Sequence, residues 1–218
     1  MKLTSTQRTA LWAGGAVALV GIAALVWWLT KRRSDRALMG GGSSGNIVTG
    51  AVQTVVDKLK ETTGMSYFTI SELTRSATAQ SRGIDNTPTP AVRAKLQDLI
   101  TNCLNPIRRL YGRPIIVSSG YRSPQLNAAV GGVANSQHTT GEAADLVPAS
   151  GGSLAGIFRA AVQWGNYDQL IIEQKGNSKW VHVSYGPRNR RKILAYKNGS
   201  YTDITGNWEN YLNSNNIA

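Results

Sequence analysis

This chain has two histidines, and their surroundings constrain its fold more than any other feature. His138 lies in SSGYRSPQLNAAVGGVANSQHTTGEAADL, residues 118–146, and His182 lies in Trp180-Val181-His182-Val183-Ser184. Asp145 follows His138 across a glycine-containing bend and belongs to Ala-Ala-Asp-Leu, an apolar run that reads as the start of a buried strand. Around the second histidine, valines alternate with Trp180, His182 and Ser184, so a strand over residues 179–185 turns those three to one face. Two imidazoles and a carboxylate are a donor set that Zn²⁺ takes in catalytic sites, with a fourth position left for water. On composition and spacing alone two readings stand open: a metal centre, or two histidines packed among apolar strands.

Three segments add to this. Ser119-Gly120-Tyr121-Arg122, the run Ser136-Gln137-His138-Thr139-Thr140-Gly141-Glu142-Ala143-Ala144-Asp145, and Trp180 to Ser184 resemble the signatures of the zinc D-Ala-D-Ala peptidase family, in particular its phage-type peptidoglycan peptidases. Ser71-Glu72-Leu73, Gly83-Ile84-Asp85-Asn86 and Asp168-Gln169-Leu170-Ile171-Ile172-Glu173 extend the resemblance over roughly residues 67–201. It implies an α+β domain of the hedgehog/DD-peptidase type. It also implies Zn²⁺ held by His138, Asp145 and His182, and hydrolysis of peptide bonds in peptidoglycan stem peptides. Whether a terminal D-Ala is trimmed or a crosslink is cut stays open. Arg122 matches the family arginine that stabilises negative charge developing on the substrate carbonyl, a task suited to a permanently charged planar fork.

The general base is where the chain departs from the pattern. Several relatives place an acid three residues before the last histidine ligand, and here that residue is Lys179. Glu173 is the expected replacement, closing a strand at 169–173 and brought beside His182 by a loop at 174–178; Asp168 reads as a turn into that strand. Ser136 and Gln137 are expected to donate hydrogen bonds to substrate and Tyr121 to line the cleft, while Trp180 and Tyr185 are divided between cleft and core. Glu142 reads as solvated. Lys179 keeps a second reading alive, a non-catalytic zinc-containing cell-wall binding module of the same fold.

The N-terminal part calls for a separate account. Residues 10–30 form an uncharged apolar run, long enough as a helix to span roughly 30 Å of hydrocarbon, with Trp12 and Trp27-Trp28 near its two ends. Lys31-Arg32-Arg33 follows directly where a cleavable leader would carry small residues, so a retained single-pass anchor over residues 1–38 is expected. A Gly/Ser linker at 39–46, a linking helix at 47–66 and the peptidase domain at 67–218 complete the organisation. The basic flank after the span favours a cytoplasmic C-terminal domain, whereas a peptidoglycan substrate lies across the membrane. Two placements follow: an inner-membrane enzyme facing the periplasm, or the internal membrane of a virion, where the former cytoplasmic leaflet faces outward and capsid or viral membrane proteins are neighbours. The formal charge of +12 includes a cluster at Arg188, Arg190, Arg191 and Lys192. This cluster suits anionic wall polymers or is a solvated run, and no nucleic-acid motif accompanies it. Cys103 is the single cysteine, so no internal disulfide forms.

The remaining periodicities predict a capping box at Thr69 and Glu72 and a long amphipathic helix over 90–111 that Pro106 kinks or splits. They also predict a strand at 114–118, a short helix at 123–130, a strand at 143–147 and a helix at 154–164. Largely antiparallel strands end in a hairpin turned by Asn198-Gly199.

Overall fold

The computed structural model describes residues 66–217. The expected membrane span at 10–30, the linker at 39–46 and the helix beginning at residue 47 lie outside that range. Among the described residues no helix is long and apolar enough to cross a membrane.

One mixed sheet carries the site. Its strands are β1 (Ile115–Ser119), β2 (Ala143–Pro148), β3 (Gln169–Lys175), β4 (Ser178–Ser184), β5 (Lys192–Lys197) and β6 (Ser200–Asp203), in the order β1-β2-β4-β3-β5-β6. Every pairing is antiparallel except β3 with β5, which run parallel because the chain leaves β4, crosses β3 and adds on its far side. Alternation along the strands separates two faces. Ala144, Leu146, Leu170, Ile172, Val181 and Val183 are all at most 3 % exposed and form part of the hydrophobic core. Asp145, Glu173, Trp180 and His182 are turned to the other face, which is open as a cleft. The β5–β6 hairpin turns as expected at Asn198 (φ 53°) and Gly199 (φ 85°).

Helices cover the apolar face. Helix α1 (Ile70–Thr74) starts with the expected capping box, the Thr69 hydroxyl accepting from the Glu72 N–H while the Glu72 carboxylate accepts from the Thr69 N–H. Helix α2 (Ala77–Arg82) follows, then α3 (Pro90–Leu99), and a π-helical turn at Ile100–Leu104 leads into α4 (Asn105–Tyr111). Pro106 therefore does not break the long helix; a wide turn absorbs it. The missing N–H of Pro106 leaves the Asn102 carbonyl free, and the indole N–H of Trp164 donates to it at 3.1 Å. Helix α5 (Pro124–Ala129) is followed by α6 (Leu154–Trp164), which buries Leu154, Ala155, Ile157, Phe158, Ala160 and Ala161 and contacts β2, β3, β4 and α4. Helix α7 (Trp208–Ser214) brings Trp208 to Phe158, ring centroids 6.1 Å apart.

Candidate metal centre and catalytic cleft

Strand register places the two later donors. Asp145 on β2 and His182 on β4 are paired directly across the antiparallel ladder, and each turns its side chain to the open face. The first donor, His138, comes from a 3₁₀ turn, Gln137–Thr140, that ends at Gly141 with φ 77°. A Cβ at Gly141 would press on the Val92 carbonyl at 2.9 Å, so the glycine serves both the left-handed turn and the close approach to α3. His138 Nδ1 lies 2.6 Å from the Gly120 carbonyl, which fixes the N–H there and leaves Nε2 as the bare nitrogen. Gly120 follows the irregular end of β1 and sits against α1, where a Cβ would lie 2.7 Å from the Leu73 Cα.

Three donor atoms converge as a result. His138 Nε2 is 3.2 Å from His182 Nδ1 and 3.3 Å from Asp145 Oδ1, and His182 Nδ1 is 3.0 Å from Asp145 Oδ1. All three residues are buried, at 2 %, 7 % and 8 % exposure for His138, Asp145 and His182. Tetrahedral zinc with bonds of about 2.0–2.1 Å holds its donors about 3.4 Å apart, so the observed spacing fits such an ion with shifts of a few tenths of an ångström. Two imidazole nitrogens facing each other beside a carboxylate oxygen are all lone-pair donors when bare, and a metal ion among them, or a hydrogen on His182 Nδ1, reconciles them. Burial alone would raise the Asp145 carboxyl, but His138 and His182 override it and hold Asp145 ionised, well below the ordinary carboxylate range.

Around these donors lies a cleft of about 510 Å³. Glu173 on β3 stands diagonal to His182 across the β3–β4 ladder, its Oε1 3.9 Å from His182 Nδ1. The strand runs on to Lys175, so Glu173 is held inside β3 and not at its end, and the connection to β4 shortens to the turn at Gly176 and Asn177. Burial raises the Glu173 carboxyl and the nearby Asp145 adds to this, against His182 and Arg122, which pull it down. Arg122 Nη2 lies 3.9 Å from Asp145 Oδ2, and its Nε is buried without a partner among the described residues. The Arg122 loop is tied by its N–H to the His138 carbonyl (3.2 Å) and by Asn86, which donates to the Tyr121 carbonyl (3.1 Å) and accepts from the Ser123 N–H (2.7 Å).

The structure divides the other expected site residues. Ser136, Gln137 and Trp180 line the cleft. Tyr121 does not: at 6 % exposure it belongs to the hydrophobic core, and its backbone holds α1 through the Leu73 carbonyl. Tyr185 sits in a separate depression beside Lys95 and Glu142. Glu142 is not solvated but paired with Lys95 Nζ at 2.8 Å, its side chain 13 % exposed. Gln137 was expected to donate to substrate, yet its amide N–H is already used by Asp168 at 2.9 Å. Asp168, read from sequence as a turn residue, is a fully buried carboxylate that Arg190 grips bidentately (2.8 and 2.6 Å). Asn86 and Asp168 carry no periodic signal. The basic run at 188–192 was the one visible hint that a buried acid was waiting for it.

Comparison with known proteins adds independent information. The profile of the family described as Peptidase M15 matches residues 66–184. Over 121 residues the chain is 36 % identical to the zinc D-Ala-D-Ala carboxypeptidase of Streptomyces albus G, a match covering 55 % of this chain and 46 % of that protein. The chain thus spans less than half the length of that relative.

Proposed function

The chain belongs to the peptidase M15 family, and on that premise we propose that it is a zinc metallopeptidase hydrolysing amide bonds in bacterial peptidoglycan stem peptides. The observation that carries this reading is the set of three buried donors 3.0–3.3 Å apart with the Glu173 carboxylate 3.9 Å from one of them. His138, Asp145 and His182 would hold the zinc, which when bound would supply Lewis acidity toward a peptide carbonyl and lower the pKa of water. Glu173, more basic than an exposed carboxylate because it is buried beside Asp145, takes the proton of the attacking water and returns it to the leaving nitrogen. Arg122 offers an unpartnered Nε and a fixed guanidinium to the charge that develops on the carbonyl oxygen. Ser136 and Trp180 line the path of the peptide. Lys179 takes no part: its Nζ donates to the Asn215 carbonyl at 3.4 Å.

Incubating the zinc-loaded chain with purified sacculi, and separating the products, tests the proposal. Release of free D-Ala identifies a carboxypeptidase and shortened crosslinks identify an endopeptidase; no release by a zinc-replete chain would favour the binding-module reading that Lys179 raises. We further infer from the uncharged run at residues 10–30 that the domain is held at a membrane by a single N-terminal span. Protease added to host cells with an intact inner membrane separates the two placements. Digestion from the periplasmic side identifies an inner-membrane enzyme, and protection agrees with a virion membrane.

A further inference from the structure

Asp168 is a buried charge that the mechanism leaves unused. It has no solvent exposure, and its two carboxylate oxygens accept four hydrogen bonds. Oδ1 takes the Arg190 backbone N–H (3.0 Å) and Nε (2.8 Å); Oδ2 takes Arg190 Nη2 (2.6 Å) and Gln137 Nε2 (2.9 Å). Arg188 Nε stands 3.8 Å from Oδ2. Both hydrogen-bonding partners line the cleft, and Gln137 is the residue immediately before the donor His138. A carboxylate can only accept, so Gln137 must turn its NH₂ toward Asp168, and the two ends of its amide are assigned by chemistry. The other end, Oε1, is buried and has no partner among the described residues, on a side chain that is 8 % exposed. A buried carbonyl acceptor without a donor is costly unless something supplies one. Trp180 lines the same cleft, and its indole Nε1 is a buried donor without a partner among the described residues. Both atoms are closed to solvent, so a peptide pairs with them only as the two side chains yield to it, and one acceptor and one donor are what an extended peptide backbone pairs with.

We propose that Asp168 is a positioning residue that clamps Gln137 with its side-chain carbonyl turned into the cleft, as the acceptor for a backbone N–H of the bound peptide at a link other than the one cut. This rests on the peptidase reading and adds to it a polarity: the cleft recognises an N–H next to His138, through an amide oxygen that can only accept. The Asp168→Asn variant should invert that polarity. Its Oδ1 still accepts from the Arg190 N–H and Nε, while the NH₂ in place of Oδ2 gives up the Arg190 Nη2 bond and faces Gln137, so the Gln137 amide turns over and presents NH₂ to the cleft.

The test uses the full zinc-loaded chain and a synthetic stem pentapeptide, alongside analogues in which one non-scissile amide at a time is replaced by an ester. In the wild type one ester should lower kcat/KM by about 10- to 100-fold, mostly through KM, because a buried acceptor is left unpaired. In Asp168→Asn the amide-to-ester ratio at that link should fall to about 1, with the other links responding as before. A purely structural role would lower kcat/KM for all peptides alike and leave the ratio intact. Should Asp168→Asn fold poorly, Gln137→Met removes the acceptor while keeping the Asp168–Arg190 pair, and it should lose the same discrimination. Retention of the wild-type ratio in both variants overturns the assignment. So does a wild type that cleaves the pentapeptide yet discriminates against none of the esters. No cleavage of the unmodified pentapeptide overturns the peptidase reading itself, and this assignment with it.

Discussion

Stripping the metal should destabilise the folded chain by an amount that the donor geometry allows to be worked out. The three donor atoms already stand 3.0–3.3 Å apart, against about 3.4 Å around a tetrahedral zinc, so the ion enters a nearly formed site. Its binding free energy then adds almost directly to folding. Free zinc at 100 times Kd stabilises the native state by about 2.7 kcal/mol. A domain of roughly 150 residues moves its Tm by about 2–4 °C per kcal/mol, so the expected rise is about 5–11 °C. Thermal melts of the full chain at pH 7, first with chelator and then with buffered zinc, measure it. In His138→Ala two donors remain, and the zinc-dependent rise should vanish even if the starting Tm drops. A wild type indifferent to zinc, or a His138→Ala variant that keeps the full rise, would refute the ligand assignment.

Glu173→Gln should retain zinc and fold while losing about 10²–10⁴ in turnover, the usual worth of a well-placed base; wild-type release from sacculi by this variant would point to another base. Adding Lys179→Glu to that variant should not restore turnover, since residue 179 lies on the other side of β4 from His182; recovery measured in the double variant would contradict this. Gly120→Ala should cost about 1–3 kcal/mol in urea melts and lower zinc occupancy, because the new Cβ meets the Leu73 backbone and pushes away the carbonyl that orients His138. The Asp168 carboxyl is brought down from 3.8 to about 2: burial works against this, and hydrogen bonds from Arg190 and Gln137 prevail. The stability it contributes is therefore present above about pH 4 and lost as pH falls through about 2. At full value this is ~2.5 kcal/mol, trimmed to ~1–2 kcal/mol because the Arg190 side chain is 37 % exposed. Asp168→Asn should flatten the stability profile between pH 4 and 2, and a slope equal to the wild type's would show that the pair contributes nothing.

Where a local pattern decides the structure, the sequence was legible. The helix expected at 154–164 is α6 to the residue, bounded by Ser153 and Gly165, because its cap, its apolar stripe and its left-handed stop all agree. The strands around Asp145 and His182 were legible for a similar reason, since alternation of small or branched apolar residues with polar ones leaves one register. What failed was whatever depends on atoms brought from far along the chain. Pro106 was expected to kink or split the helix because its missing N–H was visible; the helix is not split, and the Trp164 indole that serves the Asn102 carbonyl, 62 residues away, was not visible. Tyr121 looked like a cleft aromatic because it neighbours Arg122, yet the turn after β1 sends the two side chains in different directions, one to the core and one to the cleft. Asp168 looked like a turn because its partners lie 22 and 31 positions away.

Strand parity explains how this chain accommodates a lysine at the position where several relatives are expected to carry the acid. Side chains two apart on a strand share a face, so on β4 residues 178, 180 and 182 look into the cleft side and residue 179 looks away, toward the carbonyl of Asn215. A carboxylate at 179 could reach the donors only if the strand lost its alternation before His182. Here the strand is regular from Ser178 to Ser184, paired residue by residue with β3. The neighbouring strand then becomes the place from which an acid can approach. Ile171 faces His182 directly across the ladder, and Glu173, two residues on, keeps the same face and reaches back diagonally to 3.9 Å. β3 itself is held between β4 and β5, where Glu173 is paired with Trp180 on one side and Tyr196 on the other. A base held in the middle of a sheet loses solvent on both flanks, and that loss is what raises its carboxyl. Regular pairing therefore does two things at once: it turns residue 179 away from the three donors, and it brings Glu173 within reach of them with its carboxyl raised, as the proposed base requires.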